Sequence, residues 1–183
     1  MKDFSIEQLK NSSNFPNSPN TTTSLESFAI PYNMGDDYGV RVRGLLRAPE
    51  TGTYYFWVTG DDNVELNLST DSNNVNIERI AYHERWSNWN EWNKYDTQKS
   101  IGINLIAGES YYIEGLMNEL RSSDYLAVGW RRPSDGNGEE PAELIPCDVF
   151  NVFIQGQFLK AGLPSIQALF LKYLLQKVLK WVQ

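Results

Sequence analysis

One cysteine and one histidine occur in 183 residues, and each scarcity closes off a class of chemistry. Cys147 alone permits neither an internal disulfide framework nor a cysteine zinc site, and a buried free thiol is its expected state. His83 alone cannot build a histidine metal centre, and no serine or cysteine elbow lies near it, so a catalytic reading is set aside. No run of eighteen apolar residues occurs, and no charged-then-apolar leader opens the chain. Basic residues are sparse in the body. Residues 1–150 hold all 23 Asp and Glu against 12 Lys and Arg, a balance of −11, and no Lys/Arg stripe gathers there. That distribution excludes nucleic acid as the expected partner and suits cations and neutral ligands such as sugars. Helical periodicity is also missing between residues 38 and 135.

What is present is strand. Aromatic residues make up 13% of the chain, enough with its 41% apolar content for a substantial core. Alternation predicts strands over Tyr38–Arg47, Thr53–Thr59, Val64–Ser69, Ile77–Tyr82, Ile101–Leu105, Tyr111–Met117 and Tyr125–Arg131. Ala107-Gly108-Glu109 reads as a tight hairpin turn between two of them. Many short strands at even spacing predict an all-β antiparallel sandwich or barrel. Residues 10–24, rich in Ser, Asn, Pro and Thr, should wrap the surface.

The segment 151–183 differs, with four Lys and no acid. Over 164–183, Lys172, Gln176, Lys180 and Gln183 share one helical face. Leu171, Leu174, Leu175, Val178, Trp181 and Val182 share the other. The expectation is a linker and a cationic amphipathic helix appended to a domain spanning 1–150. Such a helix could dock on its own domain, on a partner or on a membrane.

Between two predicted strands stand Gly60-Asp61-Asp62-Asn63. Adjacent carboxylates repel unless a cation lies between them, and in a histidine-poor chain a hard cation held by oxygen, calcium above all, fits best. The alternative is that one Asp caps the turn while the other is solvated. The same alternative, turn capping, is expected of Asp36-Asp37. Trp86, Trp89 and Trp92 recur every third residue; Trp86 and Trp92 read as plugs of the sandwich end, and Trp89 as a candidate sugar-stacking wall.

The run from Asn14 to Arg131 resembles a protective-antigen-type (PA-14) domain of the adhesin-like branch. The resemblance rests on Phe15-Pro16-Asn17-Ser18-Pro19, Gly35 to Gly44, Pro49 to Phe56, Asp61 to Thr70, Gln98-Lys99-Ser100, Leu105 to Glu114 and Asp124 to Trp130, in that order. It implies a β-sandwich from an extracellular or cell-surface protein. It further implies a calcium ion on two consecutive aspartates joined by a cis peptide, Asp61 and Asp62 here, with the hydroxyls of a glycan completing the shell. A second loop should close the site. Here that loop is Leu120-Arg121-Ser122-Ser123-Asp124, with Asp124 as third carboxylate, carbonyls near Ser122 and Ser123 as further oxygens, and Arg121, Tyr125 and Trp89 as ligand contacts. Relatives tend to carry a glycine run in this loop, so bulky residues there would be strained if the backbone needs positive φ. The alternative reading is a structural or protein-interaction PA-14 domain without sugar binding.

Overall fold

The computed structural model describes residues 5–154, 157–159 and 177–182. A short helix, α1 (Ile6–Lys10), opens it with Ser5 as N-cap, and β1 (Thr21–Thr23) follows. The body consists of β2 (Tyr38–Arg47), β3 (Gly52–Asp61), β4 (Asn63–Ser69), β5 (Ile77–His83), β6 (Ile103–Leu105), β7 (Ser110–Glu119) and β8 (Tyr125–Arg131). After it come β9 (Glu143–Leu144), β10 (Val152–Ile154), β11 (Gln157–Leu159) and β12 (Lys177–Val182). One sheet runs β1-β12-β2-β7-β4-β5, a second runs β6-β3-β8-β9, and β10-β11 form a separate ribbon. Every pairing is antiparallel.

The two larger sheets face each other as the alternation requires. Val40, Val42 and Leu46 of β2 meet Tyr54, Phe56 and Val58 of β3 and Trp130 of β8 in one buried cluster. Each such fully buried side chain contributes roughly 1.5–3 kcal/mol of transfer free energy. The segment before β2 runs along β8, where the Ile30 amide donates to the Leu126 carbonyl at 2.9 Å. The outer face of β2 and β7 is covered by the N-terminal segment, with Ile6, Leu9 and Phe15 on Leu116. Gly39 leaves room for Leu9 there, because a Cβ would lie 2.4 Å from Leu9 Cδ1 and displace it.

Three expectations change. Ala107–Glu109 is a turn, with Gly108 at φ 83°, but it does not close a hairpin. β6 belongs to the second sheet and β7 to the first, so the turn carries the chain between sheets. At the C-terminus, Lys177–Val182 of the expected amphipathic helix is a strand, paired with β2 from Lys177↔Arg43 to Val182↔Tyr38. The backbone groups on that side of β2 need partners, and an extended segment supplies them where a helix cannot. The remainder of the expected helix, 164–176 and 183, lies outside the described residues. Cys147 is a free thiol, partly exposed rather than buried.

Candidate metal centre

The site is built by two crossovers lying side by side at one end of the sandwich. β3 is in the second sheet and β4 in the first, so Asp61-Asp62-Asn63 is a passage between sheets rather than a hairpin. β7 and β8 make the same passage in the opposite sense through residues 120–124. Register holds the two together: Asp61 pairs with Tyr125 in one sheet and Asn63 with Asn118 in the other. Asp62 therefore lies against the segment that begins at Glu119. Gly60 admits this close approach, since a Cβ there would lie 2.2 Å from Val64 Cγ1 and 2.8 Å from the Tyr125 carbonyl oxygen.

Asp61, Asp62 and Glu119 each bring a carboxylate oxygen within 4.8 Å of the others. The Asp61–Asp62 peptide is cis. Asp62 Oδ2 accepts a hydrogen bond from the Leu120 amide at 3.2 Å. Glu119 is fully buried, and neither of its carboxylate oxygens has a hydrogen-bond partner. A buried carboxylate with nothing donating to it is costly, and such groups in proteins are ordinarily paired or bound to a metal. Burial first, then the charges of Asp62, Asp61, Asp124 and Asp36, push the Glu119 carboxyl up to about 9. Burial and the neighbouring Asp62 raise Asp61 to about 7.

Asp124, expected among the ligands, has its oxygens committed elsewhere. Oδ1 accepts from the Met34 amide at 2.9 Å and from the Tyr38 hydroxyl at 2.6 Å, and Oδ2 from the Gly35 amide at 3.0 Å. Buried and triply bonded, it ties the segment before β2 to the start of β8. The third carboxylate of the cluster is Glu119, which sequence reasoning passed over. Its signal was positional, as the last residue of β7 facing the aspartate crossover.

The second loop carries its strain at Ser122, with φ 91°, where a glycine would be relaxed. Asp36-Asp37 grips this loop. The Ser122 amide donates to Asp36 Oδ1 at 3.1 Å and the Asp37 amide to the Leu120 carbonyl at 3.0 Å. Ser123 Oγ accepts from the Tyr32 hydroxyl at 2.8 Å, and Arg121 is exposed.

The tryptophan segment after β5 is moored over the same end. The Ser87 amide donates to the Gly60 carbonyl at 2.9 Å, Thr59 Oγ1 lies 2.7 Å from Ser87 Oγ, and the Tyr125 hydroxyl donates to the Ser87 carbonyl. Trp92 is buried against Trp57 and Ala127, the expected plug. Trp86 is half-exposed instead, and Lys94 Nζ stands 3.1 Å from its ring centroid. Trp89 is 44% exposed and meets Tyr125 edge-to-face at 5.3 Å. Tyr125, expected to touch ligand, is buried beneath Trp89 and Tyr32; the exposed face belongs to Tyr32, stacked on it at 6.2 Å.

Fold and site together define a two-sheet β-domain that gathers three carboxylates where two inter-sheet crossovers meet. The chain belongs to the PA14 domain family: the PA14 domain profile matches residues 3–143. Among its relatives, N-acetyl-beta-glucosaminyl-glycoprotein 4-beta-N-acetylgalactosaminyltransferase 1 of Mus musculus is 30% identical over 131 residues, 69% of this chain and 13% of that protein. Fibrocystin-L of Homo sapiens is 37% identical over 94 residues, 51% of this chain and 2% of that protein. The chain thus spans a small part of the relatives it matches. Among solved structures, the Epithelial Adhesin 6 A domain of Candida glabrata, in complex with Galb1-3GlcNAc, is similar with a TM-score of 0.45 and 17% identity. The match covers 68% of this chain and 56% of that one.

Proposed function

We propose that the domain is a calcium-dependent glycan-binding module of an extracellular, adhesin-like protein. The observation that carries this reading is Glu119: buried, without a hydrogen-bond donor, and converging with Asp61 and Asp62 on one point. The donor set is all oxygen and strongly anionic, which suits a hard divalent cation. Asp61, Asp62 and Glu119 would hold the ion, and Asp124 would fix the loop that flanks it. Calcium takes roughly six to eight oxygens, so three carboxylates leave places for sugar hydroxyls. Trp89 and Tyr32 offer exposed aromatic faces for the apolar side of a sugar ring. Convergence on one point favours binding over hydrolysis, because glycosidase carboxylates must flank the scissile bond from two sides.

The test is a glycan array probed with calcium, with chelator, and with Asp61→Asn. Calcium-dependent binding that the variant loses is the expected result. A blank array in the presence of calcium contradicts the reading and leaves a structural PA14 domain.

A further inference from the structure

We infer that Asp36 is a positioning residue for the cation site, setting calcium affinity by holding the second loop through Ser122 without itself being a ligand. The inference rests on the calcium reading above and adds to it a residue outside the carboxylate cluster. Every residue from Tyr32 to Tyr38 makes a hydrogen bond to the segment 120–124. The Tyr32 hydroxyl donates to Ser123 Oγ, and the Asn33 amide to the Asp124 carbonyl at 2.9 Å. Met34, Gly35 and Tyr38 donate to the Asp124 carboxylate, and the Asp37 amide to the Leu120 carbonyl. Asp36 Oδ1 accepts from the Ser122 amide at 3.1 Å, and this contact falls where the loop most needs restraint. Ser122 has φ 91°, a region that a residue with a side chain keeps only when its surroundings impose it.

The restraint reaches the cluster through Leu120. Its carbonyl accepts from the Asp37 amide at 3.0 Å, and its own amide donates to Asp62 Oδ2 at 3.2 Å. Glu119 directly precedes it, and Ser122 follows two residues further on. Relaxation at Ser122 therefore shifts the backbone that links Glu119 to Asp62. Asp36 is exposed and stands outside the three carboxylates whose oxygens lie within 4.8 Å of one another. Its charge also acts on the site: after burial and the charges of Asp62, Asp61 and Asp124, it helps to raise the Glu119 carboxyl. A negative charge attracts a cation with or without the loop contact, so charge and hydrogen bond have to be separated. Asparagine separates them, because it keeps the acceptor oxygen and removes the charge.

The test is calcium calorimetry on the whole chain, with a melting curve in chelator for each protein. The proteins are the wild type, Asp36→Ala, Asp36→Asn, and Asp36→Ala combined with Ser122→Gly. Asp36→Ala should bind calcium roughly fivefold more weakly, about what one hydrogen bond carries. Asp36→Asn should stay within about twofold of the wild type. Glycine takes φ 91° without cost, so Ser122→Gly should bring the Asp36→Ala deficit back to about twofold. In chelator all three variants should melt within about four degrees of the wild type, since Asp36 is exposed. Unchanged affinity in Asp36→Ala, equal losses in Asp36→Ala and Asp36→Asn, or no recovery with Ser122→Gly overturns the inference and leaves the calcium reading standing. A larger fall in melting temperature in chelator for Asp36→Ala marks a general structural role and also overturns it. No calcium binding by the wild type overturns both.

Discussion

The carboxylate of Asp62 accepts the amide of Leu120 at 3.2 Å, so the aspartate crossover and the loop after β7 are joined directly. Because Glu119 immediately precedes that amide, whatever fixes Asp62 also fixes the third carboxylate of the cluster. The same loop is held from its other side by Asp36, Asp37 and Asp124. Three acidic residues outside the cluster therefore hold the loop that adjoins its third carboxylate.

Calcium binding should release protons. Glu119 is raised to about 9 and Asp61 to about 7 in the absence of an ion, so at pH 7 the metal-free site holds protons that a cation must displace. Calcium titrations at pH 7 in buffers of different ionisation enthalpy should give apparent heats that differ with the buffer. Identical heats would show that the cluster binds calcium without proton exchange.

Asp124 should act on stability whether or not calcium is present. Asp124→Ala removes the acceptor of the buried Tyr38 hydroxyl bond and of two part-buried bonds from the Met34 and Gly35 amides. A loss of about 1.5–3 kcal/mol is expected, the range for a buried hydrogen bond to a charged group, here chiefly the one from Tyr38. Denaturant unfolding with and without calcium checks this. A loss seen only with calcium would mark Asp124 as a metal ligand instead.

The tryptophans should separate by role. Trp92→Ala empties a site against Trp57 and should cost about 3–5 kcal/mol of stability. Trp89→Ala, at a 44% exposed position, should leave the melting temperature within a few degrees yet weaken glycan binding by about tenfold. Binding and melting measured on both variants test the division.

Acid should loosen the tryptophan segment through His83. Burial, the dominant cause, and the charge of Lys94 lower its pKa from 6.5 to about 4, while a hydrogen bond with the Arg85 carbonyl works the other way. Between those values the unfolded chain binds more protons than the folded one, so stability falls as pH drops through the window. The loss reaches up to about 3 kcal/mol. His83→Gln removes this contribution, and its stability should depend less steeply on pH between 6.5 and 4. Parallel profiles for the two proteins would show that His83 does not titrate this way.

Local pattern made the strands legible and non-local geometry hid much of the site. β2 and β8 begin and end where alternation places them, because a strand buried on one face repeats every second residue. Asp61-Asp62 stood out because two carboxylates interrupt that pattern between strands. Glu119 did not, being an ordinary strand-end residue until the registers Asp61↔Tyr125 and Asn63↔Asn118 bring the two crossovers together. Tyr32 was hidden for the same reason, since it reaches the site only because the segment before β2 runs along β8. Lys177–Val182 fits a helical as well as an extended pattern, and the neighbouring strand β2 decides between them.

Calcium calorimetry on the wild-type and Glu119→Gln domains, side by side, tests the central claim most directly. The wild type should bind one calcium ion with a Kd of roughly 10⁻⁴–10⁻³ M or tighter. Glu119→Gln should bind at least about tenfold more weakly, a loss of about 1.4 kcal/mol, and should melt no earlier than the wild type in chelator. No heat at millimolar calcium, or equal affinities for the two proteins, would contradict the account.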